Sequence, residues 1–116
     1  MKISVQPKLI KWITFGEKIA AIAIFPFILL AHHKYQENKV LIKHEKIHLR
    51  QQLELGILLF YIWYGLEYII RLIQFKNKHI AYLNISFERE AFKNDENLDY
   101  LSKRKLFSFT NYLRVK

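Results

Sequence analysis

The residues best able to do chemistry in this chain are grouped in one short segment, His44-Glu45-Lys46-Ile47-His48. On a helix the two histidines lie one turn apart on the same face, with Cβ atoms about 5–6 Å apart. Both imidazoles can then reach one Zn²⁺ at about 2.0–2.1 Å from each nitrogen. Glu45, about 100° further round the helix, would stand beside such an ion and not on it. From there its carboxylate could accept a proton from a water polarised by the metal and return it to a leaving amine.

The flanking residues support the helix that this geometry needs. Asn38 is a good N-cap, and the helix is expected to run from Lys39 to about Leu55. In projection His48, Leu41, Val40, Ile47 and Leu55 fall within about 60° of His44, while Lys46, Lys39, Arg50, Lys43 and Glu54 lie about 200–280° round. Both histidines therefore centre an apolar face, opposite a charged one. Surface histidines would not be arranged in this way.

A catalytic zinc site usually takes three protein ligands. The pattern HExxHxxGxxH would need glycine at position 51 and histidine at 54, but the chain has Gln51 and Glu54, so that class is excluded. His79 opens a later helix with no supporting neighbours. Acidic residues number only ten, so "FEREAF", with Glu88 and Glu90, stands out. In this combination the chain resembles the gluzincin class of zinc metallopeptidases, in which HExxH on one helix is completed by a Glu from a later one, often within ExxA. Glu88-Arg89-Glu90-Ala91 matches ExxA. The stretch "HEKIHLRQQ … AYLNISFEREAF" is also similar to small bacterial proteins of the minimal-gluzincin type, over about residues 40–95.

The resemblance implies one Zn²⁺, with His44, His48 and Glu88 as ligands and Glu45 as general base and acid. It implies a peptide or protein substrate, aligned by edge pairing to a strand just before the active-site helix, around Phe25 to Leu30. Fuller gluzincins often carry an Asp after the Ala to orient a ligand histidine; Phe92 stands there in this chain. Glu90 or a backbone carbonyl must then support the histidine. Tyr82 and Tyr100 are candidates for stabilising the transition state.

The remaining sequence must position these groups. With 116 residues there is room for one domain, 1–116, with a zincin-like core at about 19–95 and a basic aromatic tail at 98–116. Residues 1–14 read as a basic amphipathic lead-in, with Pro7 as a helix opener. "IAAIAIFPFILLA", residues 19–31, follows several lysines as a signal sequence would, yet no small-residue cleavage site comes after it. Pro26 and the Ile/Phe content favour a buried strand or hairpin. Residues 57–75 form an aromatic helix, Lys76–Lys78 a turn, and 79–94 a further helix bearing Glu88. The expected fold is mostly α with a small β element (α+β): a short strand or hairpin, the HExxH helix, an aromatic helix and a Glu-bearing helix.

Composition sets the surroundings. Hydrophobic residues at 52% argue against disorder, and the absence of cysteine excludes disulfides, thiolate metal sites and cysteine nucleophiles. A net charge of +9 suits anionic lipid or acidic partners. "LGILLFYIWYGLEYIIRLI", Leu55 to Ile73, is long enough to span a bilayer, but Glu67 and Arg71, read as an i,i+4 pair, and its interfacial aromatics fit a helix half in the core and half on a membrane surface. The basic tail lacks any nucleic-acid motif and reads as membrane-facing. The expected protein is a zinc-dependent metallopeptidase, associated with a membrane peripherally or integrally, or cytoplasmic. The alternative is a non-catalytic binding or scaffold protein in which zinc staples a small fold.

Overall fold

A computed structural model describes residues 2–13 and 19–114; Met1, Thr14 and Lys18 of the basic lead-in and flank lie outside the described residues. Three short strands and six helices are described: β1 (Lys2–Val5), α1 (Pro7–Ile13), β2 (Ala21–Ile24), β3 (Phe27–Leu30), α2 (Lys39–Leu55), α3 (Ile57–Phe75), α4 (Lys78–Leu83), α5 (Ser86–Asn94) and α6 (Tyr100–Lys103). Single 3₁₀ segments cover His33–Glu37 and Ser108–Tyr112. The mostly helical fold with a small β element is as expected.

The apolar run at 19–31 is a hairpin. β2 and β3 pair antiparallel about the Phe25-Pro26 turn, and β1 adds in parallel on the far side of β3, giving the order β1-β3-β2. β3, paired along both edges, carries the buried Ile28, Leu29 and Leu30. β1 is a strand where only a lead-in was expected. Its "KISV" is too short to show a period, and only pairing with β3 makes it a strand.

Helix α2 starts where Asn38 Oδ1 accepts the Leu41 N–H at 3.0 Å. Its inner face meets the sheet through Ile42 and Leu49, which cluster with Ala23, Ile28 and Leu30. Gln52 fixes the register: its Oε1 accepts the Phe25 N–H at 2.7 Å and its Nε2 donates to the Ala23 carbonyl at 2.8 Å. One side chain thus acts as a short strand partner. Gly56, at φ +83°, separates α2 from α3 in a conformation that costs a side-chain-bearing residue strain.

The helix expected over 79–94 is two helices. Asn84 ends α4, its Nδ2 donating to the Ile80 carbonyl at 2.8 Å. The start of α5 has no cap from its own chain neighbours; the buried Glu67 of α3 accepts the Ser86 N–H at 2.8 Å, together with the Ser86 hydroxyl and the Trp63 indole N–H. A carboxylate at a helix N-terminus meets the positive end of the dipole. Glu67 therefore does not pair with Arg71, which donates to Gln74 and the Leu113 carbonyl instead.

The described part of the tail, residues 98–114, packs against the rest of the chain. Phe109 joins Phe60, Ile85 and Phe87 in a second core cluster, and Arg89 holds the carbonyls of Tyr112 and Arg114. The packed core therefore extends on both sides of 19–95, from Ile10 to Phe109.

Candidate metal centre

His44, Glu45 and His48 project from one side of α2 and are all buried. Their ligand atoms lie within 4.8 Å of one another, so the group could hold a metal ion. Glu88, in the first turn of α5, is brought to the same point. Its Oε1 lies 2.8 Å from His44 Nε2 and 3.0 Å from His48 Nε2. Ala91, one turn further along α5, is fully buried. Tyr64 of α3 donates to the other Glu88 oxygen at 2.6 Å and orients the carboxylate.

The far side of each imidazole decides what its near side can do. His44 Nδ1 meets Asp95 Oδ2 at 3.1 Å, and a carboxylate at that distance accepts an N–H. His48 Nδ1 meets Gln51 Oε1 at 2.7 Å. The Gln51 amide cannot be turned round, because its Nε2 donates to Glu90 Oε1 at 3.1 Å and to the Phe87 carbonyl at 3.2 Å. Both histidines are therefore held with hydrogen on Nδ1 and the Nε2 lone pair facing Glu88.

Two lone pairs and a carboxylate oxygen aimed at one point require positive charge between them, either a proton or a metal ion. The same crowding shifts the proton affinities of His48 and Glu88. Burial alone would lower His48, but Glu88, by charge and hydrogen bond, with Glu45 and Gln51, raises it to about 9. Burial alone would raise Glu88, but the two histidines hold it well below the ordinary carboxylate range. A divalent cation satisfies the same three atoms, and the donor set of two imidazoles and one carboxylate fits zinc. Glu45 differs: desolvation dominates, and its pKa is raised despite both histidines.

The support behind the histidines departs from expectation. Glu90 touches neither ring. It is fully buried one step further back, bound by Gln51, Tyr100 and Arg104. The direct partners are Gln51 and Asp95, and a periodic signal existed for both. Gln51 lies one turn after His48, and Asp95, the C-cap of α5, follows Glu88 by two turns. Phe92 packs edge-on against His44, ring centroids 4.4 Å apart. Tyr100 is spent on Glu90 at 2.6 Å, leaving Tyr82 of the two tyrosine candidates in the cavity.

That cavity, about 1170 Å³, is walled by β2, the inner faces of α2 and α3, and parts of α4 and α5. The strand it exposes is β2, residues 21–24, and not 25–30, because β1 and β2 enclose β3. His79 also lines it, stacked on Tyr82 at 6.4 Å. Comparison with protein-family models, curated proteins and solved structures gives no match.

Proposed function

We propose that the chain is a zinc-dependent metallopeptidase of minimal-gluzincin type acting at a membrane surface. The observation that carries this reading is Glu88 Oε1, set between the Nε2 atoms of His44 and His48 with Glu45 beside them. His44, His48 and Glu88 would hold the ion, which when bound supplies Lewis acidity to a scissile carbonyl and to the attacking water. Glu45, whose burial raises its proton affinity, takes the proton as the water oxygen bonds to the carbonyl carbon. It returns that proton to the nitrogen as the C–N bond breaks. Tyr82, kept protonated by burial and by Glu88, is a neutral donor facing the same cavity.

The membrane setting is supported by α3. The helix is long and apolar enough to cross a bilayer, and only 11% of its apolar window is buried. Leu58, Ile62, Leu66, Ile69 and Ile73 follow one another at three- and four-residue steps and all are exposed. Monomeric soluble proteins rarely leave so continuous an aliphatic face in water, and the charge of +9 suits an anionic surface.

Cleavage of a broad peptide library by the zinc-loaded protein tests the reading, with Glu45→Gln as the partner measurement. Turnover in the wild type, with loss of at least a hundredfold in Glu45→Gln at equal zinc content, is expected. A zinc-loaded wild type that cleaves nothing would point to zinc as a staple for a small core.

A further inference from the structure

The cavity beside Glu45 has walls of definite chemistry. β2 lines it with Ile22 and Ile24, α2 with Val40 and Leu41, and α3 with Ile57 and Phe60. Among the described lining residues Lys78 is the sole lysine or arginine, against the carboxylates Glu45, Glu88 and Asp95. An ionic side chain would meet mostly apolar walls there, and its desolvation would be opposed.

The strand edge sharpens this. Ala31 N–H donates to the Ala20 carbonyl, so the alternation of the β2–β3 ladder turns the backbone groups of Ala21 and Ala23 away from β3. The Ala23 carbonyl is already held by Gln52 Nε2 and by the Tyr61 hydroxyl. A peptide lying along β2 therefore finds a short ladder at most, and its affinity must come from burying side chains. The rim of the cavity is aliphatic as well. Ile13, Ile19, Val40 and Ile57 line it and are each more than a third exposed. Ile57 opens α3, whose Leu58 and Ile62 continue the same apolar surface outward.

We infer that this site takes extended peptide segments that are uncharged and aliphatic or aromatic around the reacting bond, of the kind that partitions into a bilayer. The inference rests on the peptidase reading for the chemistry, but not for the binding preference. Zinc-loaded Glu45→Gln protein should be titrated against two fluorescein-labelled peptides of equal length, each with the same charged solubilising tags. One is aliphatic and aromatic, and the other carries Asp and Lys at alternate positions. Fluorescence anisotropy should show the apolar peptide binding at least tenfold more tightly. Adding Val40→Asp should weaken that binding at least tenfold with zinc content unchanged. Position 40 lies in the first turn of α2 and is exposed, where an acidic residue favours the helix. Equal affinity for the two peptides, binding of neither, or apolar binding untouched by Val40→Asp would overturn the inference. Preferential apolar binding with no cleavage by the wild type would support it while overturning the peptidase reading, so the two fail separately.

Discussion

At the scale of single residues, the site depends on which nitrogen of each histidine carries hydrogen. Asp95 and Gln51 set this, and removing either frees an imidazole to turn or change tautomer. Asp95→Ala and Gln51→Ala are each expected to weaken zinc binding by about 10–100-fold, read by competition with a chromophoric chelator. Affinity within twofold of wild type for both would show that the rings are held by packing alone. The metal-free chain should also show a characteristic dependence on pH. His48 is raised from 6.5 to about 9, so its contribution is fully present below 6.5 and lost as pH rises through 9. Glu88 is lowered from 4.5, so its contribution is present above 4.5 and lost on acidification. With chelator present, the urea midpoint should be highest between about pH 4.5 and 6.5 and fall towards pH 9; a midpoint that rises over that upper range would contradict the assignment.

The same scale shows what could be read from residue types and spacing. His44 and His48 at i,i+4 on an apolar face, and Glu88 by its likeness to ExxA, converge on one point in the structure. Glu90 or a backbone carbonyl was the support expected for the histidine, and Glu90 does not reach either ring. At two residues from Glu88 it points to another side of α5, and only the two-turn spacing puts Asp95 behind His44.

At the scale of elements, boundaries set by local chemistry were legible and those set by distant partners were not. Asn38 and Gly56 bound α2 as their residue types suggest. The start of α5 is set by Glu67, nineteen residues away in sequence, and no local pattern reports that. Glu67→Ala would leave a buried N–H and an indole N–H without their acceptor, at a cost of about 1–3 kcal/mol each. Urea unfolding should therefore show a loss of about 2–6 kcal/mol in total; a change under 0.5 kcal/mol would show that the cap is dispensable. The outer face of α3 makes a separate prediction. Leu66→Asp with Ile69→Asp should abolish co-sedimentation with anionic lipid vesicles and leave the zinc content unaltered. Undiminished sedimentation would remove α3 from the membrane account.

At the scale of the whole molecule, the C-terminal segment ties together the two helices that carry the site. Arg104, from the tail, forms a bidentate pair with Glu54 of α2 and a second pair with Glu90 of α5, and all three side chains are buried. Glu54 read as part of a solvated charged face because periodicity shows which side a residue lies on, not what later folds over it. Breaking a buried pair by removing one partner costs about 3–5 kcal/mol, and here the freed Glu90 lies one hydrogen bond from Gln51. Arg104→Ala should thus lower both stability and zinc affinity, whereas a tail that only covers the surface would lower neither.

His44, His48 and Glu88 are proposed to hold one zinc ion together. Metal analysis of purified wild type, His44→Ala and Glu88→Ala, each confirmed folded by circular dichroism, tests it most directly. One zinc per chain in the wild type and at most a tenth of that in both variants is predicted. Unchanged zinc in both variants would contradict it.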